Sequence, residues 1–237
     1  MRETLEIYDR WAGRNVALAT VVRVQGSAPR PVGTTMLIGG EGEMEGSVSG
    51  GCVENDVSLH AVASLDEQQS RLVTYGIADD EAFEVGLACG GTIQVYIRPA
   101  DSTTLNAART LVEGERYGAV VTVIEGGSEE AVLAADGSVL AGSLPAAASD
   151  RIVSDALAMM DTEKSKALSY GDTLVFIDTV APSPNLLIFG AVHIAQYLSS
   201  MARMAGFRVT VADSRAAFAT EERFPDAAEI LVGWPDA

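Results

Sequence analysis

Two short motifs hold the residue types best suited to chemistry: Gly50-Gly51-Cys52-Val53-Glu54 and Cys89-Gly90-Gly91. They contain both cysteines of the chain, and each cysteine stands against a glycine pair. Val53, Val57, Ala61 and Leu65 recur four apart, which predicts a helix beginning near Cys52. The thiol then sits at or just before a helix N-terminus, where unpaired N–H groups favour an anion and ease formation of a thiolate. Adjacent glycines leave the sulfur uncrowded and let a ligand approach the backbone. The competing reading of any one cysteine is a small buried hydrophobe. Two out of two in glycine turns favours function. Glu54, two residues beyond Cys52, is a candidate for proton transfer, although a carboxylate at a helix start also complements the dipole. Arg30 lies in a turn-forming segment, Gly26-Ser27-Ala28-Pro29-Arg30-Pro31-Val32-Gly33, as either a surface charge or an anion clamp.

Other constellations are weaker. Gly190-Ala191-Val192-His193-Ile194-Ala195 occupies the position of a dinucleotide fingerprint, with Asp213 placed where a ribose-binding acid belongs. Val192 stands where the second glycine would let backbone reach a pyrophosphate, so NAD(P) is disfavoured as a cofactor. Cys52, His60 and Cys89 show no zinc spacing, and no metal site is expected. Each of the two histidines reads better as structural. Nothing has the arrangement of a Ser-His-Asp triad or a P-loop.

The elements that must position these residues follow from periodicity and breakers. The pattern predicts strands over 15–25, 34–38, 44–48, 71–75 and 92–98, with helices at the N-terminus, after Cys52 and over 105–116. A strand over 118–124 and a hairpin about Asp136-Gly137 follow. Ser149 is a candidate N-cap for a helix carrying Ile152, Ala156, Met159 and Met160. A strand over 173–179 then leads to Ala181-Pro182-Ser183-Pro184, read as a linker. Beyond it, strand 185–189, helix 193–205, strand 208–212 and strand 229–232 open a doubly wound sheet. The fold class is α/β: an α+β cysteine-bearing domain with a mixed sheet over 1–181, then a partial Rossmann-like domain over 185–237. Leu186, Leu187, Ile188, Val209 and Val211 exceed what one helix can cover, so a homodimer is expected.

A net charge of -17 argues against nucleic acid or an anionic membrane surface as partner. No run of eighteen apolar residues exists, and the charged N-terminus lacks a signal-peptide core, so a cytoplasmic protein is expected. There Cys52 and Cys89 are thiols, or a redox-dependent bridge if they meet in space.

Gly26-Ser27-Ala28-Pro29-Arg30, Gly50-Gly51-Cys52-Val53-Glu54 and Gly86-Leu87-Ala88-Cys89-Gly90-Gly91 together resemble the xanthine dehydrogenase accessory factors, the XdhC/CoxI family. Ile188-Phe189-Gly190-Ala191, Phe218-Ala219-Thr220 and Arg223-Phe224-Pro225 resemble that family's Rossmann-like domain. The resemblance implies a maturation factor more than a turnover enzyme. Such a factor binds the molybdenum cofactor, supports its sulfuration with a cysteine desulfurase as partner, and delivers it to a molybdenum hydroxylase. By position, Cys52 is then the foremost cofactor-contacting thiol and Cys89 its companion. Arg30 and the backbone at Gly50, Gly51, Gly90 and Gly91 would suit the pterin's phosphate. Gly190 and Asp213 would line a second ligand crevice. The competing readings are an NAD(P)-dependent oxidoreductase with a reactive cysteine, and an interaction scaffold with inert thiols.

Overall fold

The computed structural model describes residues 1–11, 13–76 and 90–234. Cys89, the Gly86-Leu87-Ala88 stretch before it and the acidic Asp79-Asp80-Glu81 lie outside the described residues. The chain divides into two compact units, Met1–Ala181 and Pro182–Ala237.

The first unit runs α1 (Arg2–Arg10), β1 (Val16–Gln25), β2 (Thr35–Gly39), β3 (Met44–Glu45), α2 (Glu54–Glu67), β4 (Arg71–Tyr75) and β5 (Thr92–Pro99). It then repeats that order with α3 (Ser102–Glu113), β6 (Gly118–Glu125), β7 (Glu130–Ala134), β8 (Val139–Gly142), α4 (Ser149–Met160), β9 (Lys166–Tyr170) and β10 (Thr173–Val180). The strand orders match as well: β3-β2-β1-β5-β4 in one sheet and β8-β7-β6-β10-β9 in the other. All pairings in these two sheets are antiparallel, which corrects the expected mixed sheet. The reason is topological. Helix α2 leads from one edge strand, β3, to the opposite edge, β4, so the strands it joins are never neighbours.

Burial explains the layering. The predicted stripe of Val53, Val57, Ala61 and Leu65 is buried on Ala19, Met36, Ile93 and Val95, so α2 covers one face of the first sheet. Ile152, Ala156 and Met160 of α4 do the same for Val121, Val175 and Ile177 of the second. The opposite faces look toward each other. Leu18, Leu37, Val120 and Val132 pack with Leu5 of α1 and Leu105 of α3, while Val22, Tyr96, Ile124 and Phe176 join the sheets directly. Each such side chain contributes about 1.5–3 kcal/mol on burial. Arg98 reaches across to Glu130 at 2.5 Å, and Tyr96 Oη donates to Val123 O at 3.2 Å.

Three local expectations change. The strand expected over 44–48 stops at Glu45, because Gly46 turns the chain with φ +89 close against Thr35 O. Ser149 is the first residue of α4 and Ala148 its N-cap, without a side-chain cap. Edge strand β9 is absent from the predicted pattern, since only Tyr170 of its five residues is buried.

In the second unit β11 (Asn185–Phe189), α5 (His193–Met204), β12 (Arg208–Asp213) and β13 (Glu229–Val232) form a three-stranded parallel sheet with its crossover helix. Ile188, Val209 and Val211 are buried with Ala195 and Ala202 of α5 and with Phe224, whereas Leu187 is 61% exposed.

Candidate functional site

One carboxylate gathers the corner between β3 and α2. After Gly46, buried Val48 anchors the chain, and Gly50 (φ +76) and Gly51 (φ +109) turn it back toward the helix. Side chains carrying a Cβ rarely adopt those angles. Glu54, the first residue of α2, reaches back into the turn. Its Oε1 accepts from Ser47 Oγ (2.7 Å), Val48 N (3.2 Å) and Ser49 N (2.8 Å). Its Oε2 accepts from Ser49 Oγ (2.5 Å), Gly51 N (2.9 Å) and Val53 N (3.2 Å). Burial pushes the Glu54 carboxyl up, but the Ser49 and Ser47 hydroxyls and the Ser49 amide outweigh it and bring the pKa to about 2. With both oxygens engaged, Glu54 is an acceptor that holds the turn rather than a free base.

Cys52 follows directly, half-buried and one residue before the N-cap Val53. Its amide and that of Val53 donate to Ser49 Oγ, both at 3.0 Å. Its side chain packs on the core that α2 covers, as does Ala28. The Gly26–Arg30 segment lies alongside. A Cβ built on Gly50 would stand 3.7 Å from Pro29 Cβ, and one on Gly91 would fall 2.0 Å from Ser27 O. Gly26 in turn approaches Gly91 Cα, at 3.5 Å from a built Cβ. Gly26–Arg30, Gly50–Glu54 and the described end Gly90-Gly91 therefore converge on one corner of the first sheet, with Gly26–Arg30 between the other two. Beside Gly51 and Gly90 a built Cβ meets nothing within 4 Å among the described residues, which leaves the backbone open to a ligand there. Arg30 Nε is buried with no hydrogen-bond partner among the described residues.

This arrangement offers a soft sulfur, open glycine backbone and a guanidinium with capacity to spare. It suits a ligand that combines a thiophilic centre with an anionic group. Ser47, Ser49, Ala28 and Pro29 were not singled out from sequence. The Ser-Val-Ser spacing just before the glycine pair was the only signal for the two serines, and membership of the Gly26–Arg30 motif that for Ala28 and Pro29. His60 faces Asp56 at 3.4 Å, and Tyr75 Oη donates to the same carboxylate at 2.8 Å, a structural cluster at the edge of α2. Among the described residues no group of three His, Cys, Asp or Glu could hold a metal ion.

Gly190 and Asp213 belong to the second unit. Gly190 turns with φ +105, and Ala191 N donates to Asp213 Oδ2 at 2.8 Å. Arg215 donates from N and Nε to Asp213 Oδ1, each at 2.9 Å, and from a terminal nitrogen to Oδ2 at 2.8 Å. These bonds hold the Asp213 carboxyl well below the usual carboxylate range. The acid expected to face a ribose is engaged by its own loop, and Val192 projects 43% exposed where the second glycine would be. Arg215, stacked 4.1 Å over Phe218, is the partner that the sequence reading missed.

Residues 10–76 match the family model described as the XdhC and CoxI family, and residues 186–236 match that of the XdhC Rossmann domain. The chain is 31% identical over 224 residues to a protein of Bacillus subtilis (strain 168) named as a probable component of xanthine dehydrogenase, covering 92% of this chain and 66% of the relative. It is 35% identical over 86 residues to the "Molybdenum cofactor insertion chaperone PaoD" of Escherichia coli (strain K12), covering 36% of this chain and 27% of that one. A crystal structure titled as a xanthine dehydrogenase from Bacillus halodurans superposes with a TM-score of 0.77 at 26% identity, over 98% of this chain and 68% of that one. The chain thus spans just under two thirds of the Bacillus subtilis relative and about a quarter of the Escherichia coli one.

Proposed function

The chain belongs to the XdhC and CoxI family, and from that premise we propose that it carries the molybdenum cofactor and helps insert it into a molybdenum hydroxylase. The client is of the xanthine or carbon monoxide dehydrogenase type. The cofactor is cargo here, and the protein works as a maturation factor in the cytoplasm rather than as a turnover enzyme. The observation that carries this reading is the glycine corner, where a half-buried thiol and open backbone lie alongside the Gly26–Arg30 segment. A relative that bears the name of a molybdenum cofactor insertion chaperone supports it.

In this reading Cys52 supplies the sulfur contact to the metal end of the cargo, with Cys89 as its companion. The backbone at Gly51 and Gly90 admits the pterin closely, Gly50 and Gly91 pack on the Gly26–Arg30 segment, and Arg30 pairs with the phosphate. The corner holds the cofactor while a cysteine desulfurase supplies sulfur, and then yields it to the client. The second unit serves contact rather than nucleotide binding. Its exposed Tyr197, Met201 and Trp234 are offered as part of a homodimer contact. An NAD(P) site is disfavoured by the engagement of Asp213 with Arg215 and Ala191.

The test is analysis of protein purified from cells that make the cofactor. Molybdenum and a fluorescent pterin released by acid oxidation are expected in comparable molar amounts. Bound nicotinamide nucleotide without pterin would replace this reading with the oxidoreductase one, and an empty protein would leave the scaffold reading.

A further inference from the structure

The first unit builds its cysteine corner twice, and only one copy carries the cysteine. Strand register aligns the halves. Leu37 pairs with Glu45 as Val132 pairs with Ala141, so Gly46 corresponds to Gly142. Both glycines have positive φ, +89 and +75, and both press against the carbonyl of the first residue of the neighbouring strand, Thr35 or Glu130. The N-caps that close the two corners, Val53 and Ala148, share one backbone conformation, φ -121 and ψ 0 against φ -129 and ψ 3. The helix residues then correspond in turn: Val57 with Ile152, Ala61 with Ala156, Leu65 with Met160, all buried.

Between these matched ends the two loops differ. The first reads Ser47-Val48-Ser49-Gly50-Gly51-Cys52, and the second Ser143-Leu144-Pro145-Ala146-Ala147. Val48 and Leu144 both pack on the core of their own half. The second loop is closed by backbone bonds, Ser143 N to Glu130 O at 2.9 Å and Ala148 N to Pro145 O at 3.0 Å. It has no glycine pair, and Ser149 stands where the first copy has Glu54. The fold therefore makes this corner without a carboxylate.

We infer that Glu54 is a positioning residue for Cys52: its carboxylate gathers the amides and hydroxyls of residues 47–53 to present the thiol, and the fold does not require it. A residue that served only to start α2 would need one or two of those bonds, as caps do. Glu54 accepts six, all from the turn that carries the cysteine. Glu54→Gln keeps the size but replaces one oxygen with a donor, which would face N–H groups instead of accepting from them. The inference deepens the cofactor-carrier reading, in that the thiol so presented is the one assigned to the cargo. It stands or falls on measurements that need no cargo.

Three variants of the full chain, each also carrying Cys89→Ala, decide it: Glu54→Gln, Glu54→Asp, and a graft in which residues 143–149 replace residues 47–54. The graft, which lacks Cys52, is expected to fold with a melting temperature within a few degrees of the parent. Failure to fold would overturn the claim that the corner does not need Glu54. In Glu54→Gln the amides of Ser49, Gly51 and Val53 should lose hydrogen-exchange protection while those of α2 and β1 keep it. Iodoacetamide should alkylate Cys52 about tenfold faster, the equivalent of one lost charge-assisted hydrogen bond. Glu54→Asp, with the charge but a shorter reach, should fall between. Unchanged protection and alkylation in Glu54→Gln would overturn the inference. If instead the parent protein holds no pterin while these changes occur, the cargo reading fails and the positioning role stands.

Discussion

Gly91 has the least freedom of any residue in the corner. A Cβ there falls 2.0 Å from Ser27 O, so Gly91→Ala has to displace the Gly26–Arg30 backbone. The expected cost is about 2–4 kcal/mol in denaturant unfolding, the range of overpacked backbone sites. A loss below about 0.5 kcal/mol, typical of a surface change, would mean that the segment gives way freely. Asp178 supplies a second residue-scale test. It lies buried between the sheets and accepts from Ser165 Oγ at 2.7 Å. Burial raises its carboxyl above the ordinary value, and the chain's amino group and Ser165 offset this only in part. The native state then binds a proton more tightly than the unfolded chain, so wild-type stability falls as pH rises through the raised pKa. Asp178→Asn has no such dependence. Relative to wild type it should gain stability from about pH 4, the unfolded carboxyl value, toward neutrality, and a constant difference across that range would contradict the assignment. Glu54 has the opposite sign: its contribution is present above its unfolded pKa and is lost as pH falls toward about 2. At this scale the sequence singled out the residues of the turn. Cys52 and its glycines were legible because a cysteine in a glycine turn is unusual. Glu54 was legible as a neighbour, but its work was not, because the direction in which the turn's amides point is a property of the folded backbone.

At the scale of elements, the connection between β4 and β5 separates the two halves most clearly. Tyr75 pairs with Ile93 as Tyr170 pairs with Thr173, so Gly171-Asp172, a two-residue turn, corresponds to Gly76 and Thr92. The ends of the longer connection are already adjacent, since a Cβ on Gly76 would lie 2.9 Å from Thr92 Oγ1. Deletion of residues 77–91 should therefore leave a folded first unit, with the shorter loop costing less closure entropy. A near-native circular dichroism spectrum and a cooperative melt are expected. Loss of both would show that this connection, which carries Cys89, is structural as well as functional. Helix α2 was legible from the four-residue recurrence of its buried stripe, β11 from a continuous apolar run before Gly190, and β12 from Val209 and Val211 before Asp213. β9 was not, because only Tyr170 of its five residues is buried. The repeat of the whole order was invisible for a related reason. The equivalent core positions exchange Val, Ile, Leu and Met freely, which packing tolerates, while the loops between them share almost no residues.

At the scale of the whole molecule, the chain sets an elaborated half beside a plain one and adds a Rossmann-like unit whose acid is held by its own loop. Everything suited to holding cargo is concentrated in the elaborated half: Cys52, the open backbone at Gly51 and Gly90, and Arg30. The antiparallel duplication could not be read from the order of predicted strands, since that order also allowed the mixed sheet. The family resemblance, by contrast, was legible because its three glycine-bearing segments lie in sequence order. The central claim is that the first half's corner carries the cofactor through Cys52. The most direct test compares pterin and molybdenum content in wild type, Cys52→Ala and the Asp213→Ala variant of the second unit, purified side by side from cofactor-producing cells. Wild type and Asp213→Ala should retain the cofactor, and Cys52→Ala should lose at least about tenfold in occupancy, the equivalent of about 1.4 kcal/mol of binding. Equal content in wild type and Cys52→Ala, or loss confined to Asp213→Ala, would contradict the account.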